Sequence, residues 1–217
     1  MLKQIQAATG LVFAVFLALH LANTWLASLG PGAYDGVQGT LRAFYQFAPF
    51  EALLLAALAV HAISGVLRIV IEPKRSLSTR ARLHRYAGFF LMIVIGGHIL
   101  AVRGASWFYD VYPGFEGLAF SVAAVPGYFY PYYFLLAVAG LYHGLNGAGI
   151  AASRLGRPMA LATGTLGRVT AAGAVLTVLA LGGFGGWFYD VGDVRSSGFA
   201  VLTTRIAGEV LGVDLAP

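Results

Sequence analysis

Polar and apolar residues fall into long blocks along this chain rather than alternating. Five apolar stretches, over 7–29, 48–71, 84–102, 127–153 and 169–189, each reach the roughly 20 residues that a helix needs to cross a bilayer. They close on polar or Gly/Pro-rich residues such as Gly30-Pro31-Gly32, Glu72-Pro73-Lys74 and Arg157-Pro158. Pro49 opens the second, where its missing N–H would be unpaired in any case. The first stretch follows Lys3 as a signal peptide would. It is long, however, contains His20 and precedes no persuasive A-x-A site, so it is read as a retained helix. The pattern predicts an all-α, polytopic membrane protein: one domain over 1–217 with five transmembrane helices. Over 198–213, Phe199, Leu202, Ile206 and Val210 recur at helical spacing with Arg205 and Glu209 off the stripe. That predicts an amphipathic helix on a membrane surface, and 33–47 is a second segment of this kind.

Composition narrows the class. Hydrophobic residues make up 59% of the chain and charged ones 11%, less than half the roughly 25% of a soluble domain. Disorder, collagen, coiled coil and an ordinary water-soluble enzyme are thereby excluded. There is no cysteine, which removes disulfides, iron–sulfur ligation and covalently attached haem. Charge then orients the chain. Lys3, Arg68, Lys74, Arg75, Arg80, Arg82, Arg85, Arg154, Arg157 and Arg168 fall on one side of a five-span topology. Arg42, Arg103, Arg195 and Arg205 fall on the other, with most of the acids. The positive-inside bias predicts a cytoplasmic N-terminus and an outer C-terminus. It also accounts for the net charge of +5 without nucleic acid. Trp107-Phe108-Tyr109-Asp110-Val111 recurs as Trp187-Phe188-Tyr189-Asp190-Val191 at two outer span ends, as an aromatic belt would.

The chemistry lies in histidine. Of the five in the chain, His20, His61, His98 and His143 lie inside four successive spans, where an ionisable side chain is costly and marks a function. His20 and His98 lie about equally far past the starts of two outward-running spans, so at about 1.5 Å rise per residue they share a depth. His61 and His143, on the inward-running spans, share another, nearer the cytoplasm. Two pairs of imidazoles suit a flat cofactor ligated on both faces, protoporphyrin haem, and suit tetrahedral zinc poorly. Gly65, Gly96, Gly97, Gly140, Gly144 and Gly147 lie close to these histidines and would admit a macrocycle. His84 opens the third span inside a basic run. By side and sign alone, Arg68, Arg85 and Arg154 are placed to neutralise the propionates of the inner haem, and Arg42 and Arg103 those of the outer.

With these residues in hand, the chain resembles the five-helix dihaem cytochrome b subunits that anchor bacterial succinate dehydrogenases and fumarate reductases. The likeness covers the first four spans. It is carried by His20-Leu21-Ala22-Asn23 with the following Gly30-Pro31 and Leu41-Arg42, by His143-Gly144-Leu145-Asn146-Gly147, and by the intervals between the four histidines. The resemblance implies two haem b groups, one between His20 and His98 and one between His61 and His143. It also implies flavoprotein and iron–sulfur subunits on the cytoplasmic side, a membrane quinone, expected to be menaquinone, and a multi-pass location in the bacterial inner membrane. In this reading the chain conducts electrons and the substrate reacts elsewhere, which agrees with the absence of a G-x-G-x-x-G fingerprint. Glu51, at the outer start of the second span, resembles a glutamate that some relatives use beside an outer quinone site, although the helix dipole favours a carboxylate there anyway. Where some fumarate reductases carry a proton-conducting glutamate before the fourth ligand, this chain has Leu141 and Tyr142. Two other readings are a free-standing dihaem cytochrome and a proton-coupled transporter that uses its intramembrane histidines as a relay.

Overall fold

The computed structural model describes residues 1–71, 76–157, 159 and 161–215, and among these the chain is helical with no strand. In chain order the helices are α1 Leu2–Trp25, α2 Pro31–Tyr45, α3 Ala48–Ile71, α4 Thr79–Ile99, α5 Ala105–Tyr109, α6 Phe115–Ala124, α7 Pro126–Arg154, α8 Thr163–Phe184 and α9 Gly198–Leu211. Five helical segments are long and apolar enough to cross a membrane: Leu2–Leu29, Ala48–Ile71, Thr79–Tyr109, Pro126–Arg154 and Thr163–Phe184. The chain is therefore a multi-pass membrane protein. Lys74 and Arg75, named above for their charge, and Glu72, Pro73 and Pro158, named as span ends, lie outside the described residues.

Helix and apolar span differ in extent, for local reasons. α1 begins at Leu2, ahead of the apolar stretch, because Lys3, Gln4 and Gln6 are good helix formers. The third segment starts at Thr79, where the Ser78 hydroxyl accepts from the Ala81 N–H at 3.3 Å. It continues to Tyr109 through a π-turn at Leu100–Gly104. α8 ends at Phe184, short of the apolar limit at 189. There the Trp187 N–H donates to the Gly182 carbonyl at 2.8 Å and the Gly186 N–H to that of Gly183 at 3.2 Å. With Gly186 at φ 73°, this is a Schellman stop that only glycine takes without strain. The two copies of the repeated pentapeptide consequently differ: Trp107–Tyr109 is helical, whereas 187–189 is a bend.

The described residues divide into two compact units. One comprises Met1–Ala22, Gly39–Ile93 and Ala137–Ala174. Here α1 and α3 meet at Gln6, whose side-chain oxygen accepts from Arg68 and whose amide nitrogen lies against Gly65. α4 and α7 meet where Arg80 Nε donates to Asn146 Oδ1 at 2.6 Å. Arg80 Nη1 also donates to the Leu161 carbonyl at 2.7 Å.

The other unit comprises Asn23–Gln38, Val94–Leu136 and Val175–Pro217. Its core gathers Ala27, Tyr34, Phe115, Phe120, Ala180 and Phe184, with Tyr34 edge-on to both Phe115 and Phe184. α6 belongs to this core. The span pattern does not announce it, because at ten residues it is too short to cross and it is buried on several faces. Asp35 caps it, accepting from the Phe115 N–H at 2.9 Å. The Tyr189 hydroxyl donates to the Ala27 carbonyl, and burial pushes its phenol pKa up, so it stays a donor.

Candidate functional site

His61 comes from α3 and His143 from α7, and their ring centroids lie 6.1 Å apart with the planes at 89°. Each ring is held in the same way. His61 Nδ1 is 3.0 Å from the carbonyl of Gln6, on α1. His143 Nδ1 is 3.0 Å from the carbonyl of His84, on α4. A carbonyl only accepts, so both Nδ1 atoms carry the proton and both Nε2 atoms keep a free lone pair. This is the arrangement a metal-binding imidazole adopts, with its other N–H given to a backbone carbonyl. The spacing also suits two axial ligands. Two metal–nitrogen bonds of about 2 Å in line, with the ring radii added, separate imidazole centroids by about 6 Å.

Glycine makes both contacts possible. A Cβ built on Gly10 would stand 2.7 Å from His61 Cε1, and one on Gly88 would stand 2.9 Å from His143 Cε1. Gly10 follows Gln6 by one helical turn and Gly88 follows His84 by one turn, so on each helix the accepting carbonyl and the bare Cα lie on one face. Neither glycine, nor Gln6, stands out in the sequence, where they are one polar residue and two of 29 glycines.

His84 joins the cluster by its ring as well as its carbonyl. It stacks on His143 with centroids 4.1 Å apart and planes within 5°, and its buried Nδ1 has no partner among the described residues. Asn146, one turn beyond His143 and also not singled out by the sequence, is 1% exposed, with Oδ1 on Arg80 and Nδ2 unpartnered.

The remaining candidate residues have different surroundings. His20 stacks on Phe16 at 5.6 Å in the first unit, while His98 belongs to the second. Arg68 is turned onto Gln6, one carbonyl away from His61 Nδ1. Arg85 is half-buried in α4, and Arg154 is exposed at the end of α7. Glu51 lies in the first turn of α3, half-buried. Arg103 lies over the Trp107 ring at 5.2 Å and donates to Ser106. Of the glycines near the histidines, Gly140 and Gly144 receive Leu17, Gly65 receives Gln6 and Gly147 receives His84, whereas Gly96 and Gly97 face open space.

The cluster is thus a pair of crossed imidazoles whose Nδ1 atoms are bonded to backbone carbonyls and whose Nε2 lone pairs those bonds leave unused, in a helical membrane protein. Comparison of the chain with protein-family models, with curated proteins and with solved structures returned no match.

Proposed function

We propose that this chain is a dihaem cytochrome b that anchors a flavin- and iron–sulfur-containing succinate dehydrogenase or fumarate reductase in the bacterial inner membrane and exchanges electrons with quinone. The observation that carries the reading is the His61–His143 pair, with its 6.1 Å ring separation and both Nδ1 protons given to backbone carbonyls. In this reading His61 and His143 hold one haem b, and His20 and His98 hold a second. Haem bound in this way supplies one-electron transfer through its iron. The four histidines would hold the two haems, and Arg68, Arg85 and Arg154 would offset propionate charge. The N-terminus and the basic loops face the cytoplasm, where the soluble subunits dock. Glu51 lies by an outer quinone site.

The test is a purification from membranes followed by a reduced-minus-oxidised optical spectrum. Sharp cytochrome b bands, two haems per chain and complete release of haem into acid–acetone are expected, along with co-purifying flavin and iron–sulfur subunits. Haem without those subunits would make the chain a free-standing cytochrome. A spectrum without haem bands would leave the intramembrane histidines as a proton relay and overturn the proposal.

A further inference from the structure

We infer that Gln6 with Gly10, and His84 with Gly88, form two matching seats that hold the His61 and His143 rings crossed, and that these seats would set the electronic structure and potential of a haem iron held by the pair. The inference rests on the haem reading of this pair and goes beyond it by assigning positioning residues. Each seat has two parts on one helix face: a carbonyl that takes the Nδ1 proton, and a glycine one turn on whose bare Cα takes the ring edge. Neither part suffices alone. A hydrogen bond by itself leaves the imidazole free to swing about the N–H···O axis. The ring edge pressed against a glycine Cα, where any Cβ would stand inside 3.0 Å, removes that freedom. Because the seats lie on two different helices, they orient the two rings independently, and the planes come out at 89°. Crossed axial planes keep the two iron d-orbitals that overlap the imidazole π-systems nearly equal in energy. Parallel planes split them. The proton shared with each carbonyl also makes each imidazole a stronger donor, which favours the oxidised metal.

The experiment is low-temperature EPR and redox titration of the complex purified from membranes, as wild type and as Gly10→Ala, Gly88→Ala and Gly167→Ala. A Cβ on Gly167 meets nothing within 4 Å. The wild type is expected to give a highly anisotropic low-spin ferric signal, with one feature at large g. Gly10→Ala and Gly88→Ala should move the same one of the two haem signals toward a smaller, rhombic g. The same two variants should raise that haem's midpoint potential, while Gly167→Ala moves neither signal. Should the alanine variants fail to assemble, the wild-type spectrum still decides. Rhombic signals from both wild-type haems mean that the rings are not crossed and overturn the inference, as do glycine variants that shift different signals or none. Absence of haem from the wild type overturns the reading beneath it, and the seats with it.

Discussion

At the residue scale, the weight of the cluster rests on two hydrogen bonds and two absent methyl groups. In the proposed haem reading, removing an axial imidazole would leave its partner buried beside an open coordination position. His61→Ala and His143→Ala should therefore weaken or abolish one and the same haem, and His20→Ala and His98→Ala should do so for the other, as counted by pyridine haemochrome and EPR. Loss of different haems in the first two variants would break the pairing. In the same reading, charge separates the two haem sites. Arg68 bonds to the residue that seats His61, and Arg80 bonds to Asn146, one turn from His143. Positive charge favours the less positive, reduced iron, so the haem of His61 and His143 should titrate at the higher potential in the single-haem variants. Arg80 also has a structural role. Its two short bonds to Asn146 and the Leu161 carbonyl are hydrogen bonds from a charged donor, each contributing about 1.5–3 kcal/mol. Arg80→Ala should lower the unfolding midpoint in detergent by an amount consistent with losing about 2 kcal/mol or more.

At the scale of the element, what matters is how closely backbones approach. A Cβ on Gly183 of α8 would stand well inside contact distance of the Ala27 carbonyl oxygen, which is backbone and cannot rotate away. Gly183→Ala should cost about 1–3 kcal/mol or more as an overpacked contact, read as a lowered thermal midpoint. The neighbouring α6 depends on a cap borrowed from α2, and Asp35→Ala should cost about 1 kcal/mol by leaving the Phe115 N–H without its acceptor. An unchanged midpoint in both variants would mean that this core is looser than its packing implies. The π-turn at Leu100–Gly104 begins two residues after His98. It widens the helix there, so the residues beyond it face differently from a straight continuation.

At the scale of the whole molecule, the predictions concern what lies outside the chain. Arg82 and Arg168 are exposed, and each donates to a threonine on its own helix, so they are better probes of docking than Arg80, which is tied into the fold. Under the proposed orientation, Arg82→Glu with Arg168→Glu should weaken co-purification of an iron–sulfur subunit while leaving haem content intact. Assembly at wild-type levels would assign these charges to topology alone. Under the proposed function, Glu51→Gln should lower quinone turnover without altering either haem. Equal turnover would move the quinone site away from the start of α3.

The five membrane-crossing helices follow from the sequence alone, because the cost of putting backbone and charge into hydrocarbon acts on each segment separately and is legible as apolar length. So does the candidate chemistry, since histidine at membrane depth is conspicuous. Helix ends were legible only in part: the apolar stretch runs on to 189, past the stop at Gly186, and the early starts at Leu2 and Thr79 lie in polar residues that hydropathy does not register. α6 was hidden because burial on several faces erases the periodicity that would reveal it. Tertiary structure alone decided that His61 and His143 lie within 6.1 Å with crossed planes, that His84 stacks beside them, and that Gln6, Gly10 and Gly88 do the holding. Those contacts join residues as far apart as His84 and His143 through a backbone carbonyl and a missing side chain. Every residue has the first and every glycine lacks the second, so only their placement in space gives them a role.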